Sequence, residues 1–256
     1  MAGEIFDFEG GRGNRLSGRI ELPDGAVRGW GILAHCFTCG KDSLAASRIA
    51  KALAVNGIGV LRFDFAGLGA SDGRFGDTTF AANVDDLVQA SNALIAAGKE
   101  PSILVGHSLG GTAALAAAHD MPSIKAVATI GSPFDVAHVL HQFAPASLEA
   151  IERDGEAEVM LAGRPFVVSR EFVADLRRHD LHERVAQLNR PLLVLHAPLD
   201  ATVGVENASR IFGAAHHPKS FISLDDADHL LTRRADADYA AAMIATWVSR
   251  YLKPWA

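Results

Sequence analysis

One serine in this chain stands where its hydroxyl can be turned against a carbonyl carbon. Gly106-His107-Ser108-Leu109-Gly110-Gly111 fits the pattern G-x-S-x-G. It follows the apolar run Ser102-Ile103-Leu104-Val105 and opens an Ala-rich helical stretch, which is the strand-to-helix context this motif requires. The constraint is steric. A nucleophile in so tight a turn takes a sparsely allowed backbone conformation, and the chain closes there only if the residues two before and two after lack a Cβ. Gly106 and Gly110 meet that need, and the new helix aims its free N–H groups at the same spot. A glycine-rich turn with an incidental serine is the plainer reading; the strand before it and the helix after it speak against that.

A serine hydroxyl needs a base near neutral pH, and eleven histidines compete. His107 adjoins Ser108 in a strand, so its side chain is expected on the opposite face. His229 lies in Asp225-Asp226-Ala227-Asp228-His229-Leu230, directly after the last predicted strand, in a loop able to reach over the carboxyl edge of a sheet. His216 and His217 precede Pro218 in a surface turn and are expected to face solvent. His138, His141, His179 and His182 are expected on polar faces of short helices, not in a metal site. The base in turn needs a carboxylate to hold its tautomer. Asp200 follows the predicted strand 191–196, giving the order Ser108…Asp200…His229. Asp225, Asp226 and Asp228 are too close to His229 in sequence to reach its far nitrogen easily, and read as loop and capping charges. For the oxyanion of acyl transfer, the expected donors are the backbone N–H groups of Leu109 and of Phe37, the latter in the loop after strand 30–35.

Two further patterns carry chemistry on paper. Cys36-Phe37-Thr38-Cys39 is a C-x-x-C. A redox dithiol is the sharper reading and a pair of buried thiols the plainer one. Its place in the oxyanion loop favours the plainer one, and no second cysteine pair exists to complete a zinc site. Gly67-Leu68-Gly69 lacks the third glycine of a dinucleotide loop and has no Lys-Ser/Thr after it. It reads as a shaped loop bracing the floor of the site.

The elements that must position these residues alternate. Segments 3–9 and 16–22 read as a hairpin around Gly10–Asn14. Strands are predicted at 30–35, 59–64, 102–107, 126–130, 191–196 and 219–224. Helices are predicted at 43–56, with Ser43 as its cap, and at 79–97, 109–119, 204–214 and 236–250. Short apolar strands alternating with helices imply an α/β fold, a mostly parallel sheet covered on both faces, with its crevice outside the carboxyl ends. Residues 133–190 break the rhythm and are expected to form a cap, with a small hairpin around Ala162-Gly163-Arg164, inserted into a core made of 1–132 and 191–256.

Composition bounds the rest. With 49% hydrophobic and 21% charged residues among 256, the chain can build a core. A net charge of -6 argues against nucleic acid or an anionic membrane as partner. Met1–Asp7 has no basic n-region, and no run reaches the roughly 18 apolar residues a membrane span needs. Two cysteines build no disulfide framework and fit a reducing compartment, so a cytoplasmic protein is expected.

Taken together, Gly106–Gly111, His35–Gly40, Asp64–Gly73, Asp200 and His229 resemble the corresponding parts of an α/β-hydrolase. More narrowly, His35–Asp42, Gly131-Ser132-Pro133-Phe134-Asp135 and Asp225–Leu231 are similar to the hydrolase half of bacterial α/β-hydrolase–OsmC fusion proteins. One departure is Cys36, where many relatives carry glycine. The resemblance implies ester hydrolysis through Ser108, His229 and Asp200 with an acyl-enzyme and without cofactor or metal. Thioesterase, lactonase, amidase and perhydrolase share that triad; dehalogenation is disfavoured because the elbow carries no carboxylate. It also puts an OsmC-like domain, or a second copy of the chain, among the expected partners. A hydrolase fold kept only as a binding module is the non-enzymatic alternative. The chain runs out soon after Trp255 with no OsmC-like domain, so a stand-alone or shortened relative is expected. The stretch 133–190 loosely resembles the cap of cinnamoyl and feruloyl esterases.

Overall fold

The computed structural model describes residues 3–252; Met1, Ala2 and residues 253–256, Trp255 among them, lie outside the described residues. The chain enters through β1 (Gly3–Ile5), β2 (Phe8–Glu9), β3 (Arg15–Leu16) and β4 (Gly18–Glu21). β1 pairs antiparallel with β4, and β2 with β3, so the expected N-terminal hairpin forms in two parts around its glycine turn. Strand and helix then alternate through β5 (Gly29–Ala34), α1 (Leu44–Val55), β6 (Ile58–Phe63), α2 (Phe80–Ala96), β7 (Pro101–His107), α3 (Leu109–Ala117) and β8 (Ala126–Ile130). Between Ser132 and Pro191 lie α4 (Pro145–Asp154), the hairpin β9 (Glu156–Leu161) and β10 (Arg164–Ser169), α5 (Arg170–Arg178) and α6 (Leu181–Ala186). The alternation resumes with β11 (Leu192–His196), α7 (Glu206–Ala214), β12 (Lys219–Ser223) and α8 (Arg234–Val248).

Eight strands form one sheet in the order β1-β4-β6-β5-β7-β8-β11-β12. From β6 to β12 every pairing is parallel; β4 is antiparallel to its neighbours. β6, β8 and β11 are buried at every position, as strands covered on both faces must be. One face is packed by α1 and α8 through Ile49, Leu53, Ile244 and Val248. The other is packed by α2 and α3, and the apolar side chains of 133–190, such as Ile151, Val168 and Phe172, join that same core. Each such Leu, Ile, Val or Phe contributes about 1.5–3 kcal/mol by leaving water.

The topology locates the site. The chain passes from β5 to β6 on one side and then returns to β7 on the other side of β5. The order therefore reverses between β5 and β7, and the crevice at their carboxyl ends is where ligands of such sheets bind. One local expectation needs correcting. Ser43 stands at the N-terminus of α1, but its hydroxyl is buried without a partner and caps nothing. Thr79 performs that role on α2, accepting from the N–H of Ala82.

Candidate active site

Ser108 connects β7 to α3 with φ 55° and ψ −129°, a left-handed conformation that a residue with a Cβ adopts only under compulsion. Its N–H donates to the carbonyl of Ile130 at 2.8 Å, and its carbonyl accepts from Gly111 at 2.9 Å. A Cβ on Gly106 would collide with the backbone of Gly110 and Gly111, and one on Gly110 with the carbonyls of Ala34 and His35. Gly110 thus does more than permit the turn. It lets the first turn of α3 press against the start of the loop after β5.

The three side chains expected at the site, from parts of the chain far apart in sequence, come together here. His229 Nε2 lies 3.0 Å from Ser108 Oγ, and its Nδ1 lies 2.7 Å from Asp200 Oδ2. The other oxygen of Asp200 accepts the N–H groups of Thr202 and Val203, each at 2.9 Å. Burial raises the Asp200 carboxyl, but the bonds from His229, Val203 and Thr202 outweigh it and hold it below its ordinary value. With Asp200 accepting at Nδ1, the arrangement leaves Nε2 free to take a proton from the serine. Gly131, at φ 54°, passes so close that a Cβ there would sit 3.3 Å from Asp200 Oδ2 and 3.4 Å from His229 Nδ1.

The rival carboxylates are occupied elsewhere. Asp228 accepts from the N–H and hydroxyl of Thr232, and Asp226 pairs with Arg233 at 2.7 Å. His216 and His217 are exposed. Among the described residues His107 has no hydrogen bond to Ser108, yet it is not remote from the site: its Nε2 lies 2.7 Å from the backbone oxygen of His229. Strand alternation gave no sign of that contact at the strand end.

Phe37 and Leu109 lie on the two sides of the crevice, and among the described residues neither backbone N–H is given to another acceptor. The loop carrying Phe37 is heavily braced. Lys41 donates to Asp64 through both its backbone N–H and its ammonium group, each at 2.6 Å. Asp64 is buried, and the glycine-rich loop 67–73 wraps it: the N–H of Ala70 donates to its carboxylate at 3.0 Å, and a Cβ on Gly69 would overlap it. Arg62 binds the carbonyl of Lys41 together with Asp42 and the buried Glu21. The loop after Asp64 was legible as a brace, but these ion pairs were not: charges at 21, 41, 62 and 64 resemble a solvated surface until the fold takes them out of water, while Asp42 stays exposed.

The cysteines correct an expectation. They are not a pair of thiols: Cys36 and Cys39 are joined as a disulfide across the tight turn in which Cys39 N–H donates to Cys36 O at 3.1 Å. Thr38, inside that ring, has φ 57°, and its carbonyl accepts from Arg164 of the β9–β10 hairpin. The Phe37 ring packs against Phe143 and Phe172, and Phe75 against Phe166 and Phe172. Segment 133–190 thereby rests directly on the loop after β5. Below it, Phe37, Phe65, Leu68, Phe75, Leu109 and Ala113 line a recess of about 10 Å³, about the volume of a single water probe.

A family model described as serine aminopeptidase, S33 matches residues 32–154. A solved structure, the esterase domain of a Rhodothermus marinus protein, is 45% identical; 98% of this chain and 99% of that one are covered, with a TM-score of 0.80. The mitochondrial palmitoyl-protein thioesterase ABHD10 of Rattus norvegicus is 28% identical over 204 residues. That match covers 77% of this chain and 66% of the thioesterase, so the chain spans just under two thirds of that relative's length. The monoacylglycerol lipase of Mycolicibacterium smegmatis is 27% identical over 229 residues, covering 77% of this chain and 79% of the lipase. Among the described residues, no helix is long and apolar enough to cross a membrane.

Proposed function

Because the chain belongs to the α/β-hydrolase superfamily, we propose that it is a serine hydrolase cleaving carboxylic esters of small substrates through Ser108, His229 and Asp200. The observation that carries this reading is the relay from Asp200 Oδ2 through His229 to Ser108 Oγ, at 2.7 and 3.0 Å, ending on a serine held at φ 55°.

In this reading His229 Nε2 takes the hydroxyl proton as Ser108 Oγ bonds to the ester carbonyl carbon. Asp200 stabilises the imidazolium at Nδ1. The N–H groups of Phe37 and Leu109 hold the oxyanion, and the dipole of α3 adds to them. The tetrahedral intermediate collapses, the C–O bond to the alcohol breaks, and His229 returns its proton to the leaving oxygen. Water, deprotonated by His229, then attacks the acyl-serine, and the acid leaves. Segment 133–190 serves as the cap over this chemistry. Thioester cleavage uses the same groups, and the likeness to a palmitoyl-protein thioesterase keeps it as the second reading.

The test is a series of p-nitrophenyl esters of increasing acyl length beside matched thioesters, assayed with the parent and Ser108→Ala. Loss of Ser108 should lower kcat about 10⁴-fold or more, and an organophosphonate should label the parent at Ser108. Activity of Ser108→Ala within about tenfold of the parent ends the assignment, since an intact nucleophile is worth far more than that.

A further inference from the structure

Three buried histidines stand at or just beyond the carboxyl ends of the strands under the site, and each has a ring nitrogen on a backbone carbonyl. His35, after β5, has Nδ1 2.9 Å from Cys36 O. His196, ending β11, has Nε2 2.8 Å from Val203 O, on the segment that also binds Asp200. His107, ending β7, has Nε2 2.7 Å from His229 O. The third differs in kind. It connects the residue before the elbow serine to the backbone of the residue placed here as the base.

After the bond from Leu224 N–H to His196 O at 2.9 Å, the segment around His229 has little else to hold its main chain to the sheet. Its other backbone bonds between Asp225 and Leu231 are local: Asp225 N–H to Ser223 Oγ, Ala227 N–H to Leu224 O, and Leu231 N–H to Asp228 O. Asp225 and Leu231, near its two ends, both sit at positive φ, 46° and 48°. Such conformations persist only where the surroundings over-determine them. Among the described residues, the bond from His107 is the one that ties the backbone of 225–231 to the sheet.

We propose that His107 is a positioning residue for the reaction: its Nε2–H grips the carbonyl of His229 and so fixes where that imidazole stands over Ser108. The inference rests on the reading of Ser108 and His229 as nucleophile and base. A carbonyl only accepts, so the ring nitrogen facing it is the protonated one. Burial first, and then the nearby His229, push the His107 ring down to about 4, so it holds the carbonyl as an uncharged donor. The two rings lie 5.3 Å apart, centre to centre. A cation at that distance would oppose the imidazolium that the reaction must form; a neutral donor fixes the loop without that penalty.

The experiment compares His107→Leu, His107→Gln and His107→Asn with the parent and Ser108→Ala, on p-nitrophenyl acetate and in the rate of Ser108 phosphonylation. Glutamine places an N–H near the reach of Nε2; asparagine falls short; leucine fills the space and donates nothing. His107→Leu should lower kcat about 10²-fold, the scale of a roughly 1 Å misplacement, with KM within about twofold because the substrate contacts are untouched. His107→Gln should recover to within about tenfold of the parent, and His107→Asn should not. If the leucine variant fails to fold, the Gln and Asn pair decides the question. Leucine or asparagine within about threefold of the parent overturns the proposal, as does glutamine no better than asparagine. Either result with Ser108→Ala inactive defeats the role of His107 alone; an active Ser108→Ala defeats the esterase reading instead.

Discussion

The two halves of the site are held in place by opposite means. On the side proposed to relay the proton, the segments bearing Asp200 and His229 are tied to the sheet by imidazoles on backbone carbonyls, His196 on Val203 and His107 on His229. On the side proposed to hold the oxyanion, residues 36–43 are pinned by ion pairs, Lys41 to Asp64 and Arg62 to Glu21 and Asp42, and by a guanidinium on Thr38. The difference fits what the proposed mechanism asks of each half. In that mechanism a proton moves between Ser108 and His229, and a further fixed charge beside them would bias one protonation state over the other. The loop carrying Phe37 would offer only backbone dipoles, which do not titrate, so ion pairs can hold it rigid, and rigidity is what a preorganised donor needs.

The oxyanion half should therefore fail harder when one brace is cut. Asp64→Ala removes the Lys41 ammonium's partner at 2.6 Å, leaves it only the exposed Asp42 at 3.7 Å, and should cost about 3–5 kcal/mol in urea unfolding. A double change to Lys41→Met with Asp64→Leu should cost clearly less than the single one, because no orphaned charge remains. If Asp64→Ala unfolds at the urea midpoint of the parent, the pair is not the brace described. The relay half should instead reveal itself through pH. The His107 ring has its folded-state value pushed down to about 4 from 6.5. The unfolded chain therefore binds more protons between those values, and stability falls as pH drops through that window and is whole above it. The size is about 3 kcal/mol. His35, also buried and lowered, acts in the same direction. The difference between the parent and His107→Gln therefore isolates His107: the glutamine variant should lose less stability between pH 6.5 and 4. Parallel pH–stability curves for the two proteins would remove the argument for a neutral clamp.

How much could be read in advance also divides along this line. The strands fell within a residue or two of prediction because a strand buried on both faces leaves a continuous apolar run, as in Ile58–Phe63 and Leu192–His196. The serine turn was legible because sterics force glycines at fixed offsets. The placement of Asp200 and His229 was legible because each follows a strand whose carboxyl end must open on the crevice. The braces were not. Lys41 and Asp64 are 23 residues apart, and Arg164 and Thr38 are 126 apart. No local rule pairs charges over such distances. Short helices were expected in 133–190, but the bounds of α4, α5 and α6 were equally opaque, since their apolar faces make sense only against the core they rest on. The cysteine pair was read from its place in the loop after strand 30–35 and not from its turn, and the turn is what brings the two sulfurs together.

The smallest expected effect lies in that turn. The disulfide closes a ring of only four residues, and so short a loop gives about 2 kcal/mol at most on chain entropy. The ring is also not alone. Thr38, a β-branched residue at φ 57°, is held by it, by the Cys39–Cys36 backbone bond and by Arg164. Cys36→Ala with Cys39→Ala should therefore keep ester turnover within about threefold while lowering stability by about 2 kcal/mol or less. That outcome excludes a thiol-redox activity, which would vanish in the same variant. Arg164→Ala alone should likewise be mild, because the ring still confines Thr38. Removing both leaves the left-handed Thr38 with a single turn bond, free to relax toward the extended region that its branched side chain prefers. The combined variant should then lose more than the sum of its parts, by about 0.5–1 kcal/mol in a double-mutant cycle, with kcat falling in step as the Phe37 N–H drifts. Strict additivity would mean that the β9–β10 hairpin and the disulfide act on the loop independently.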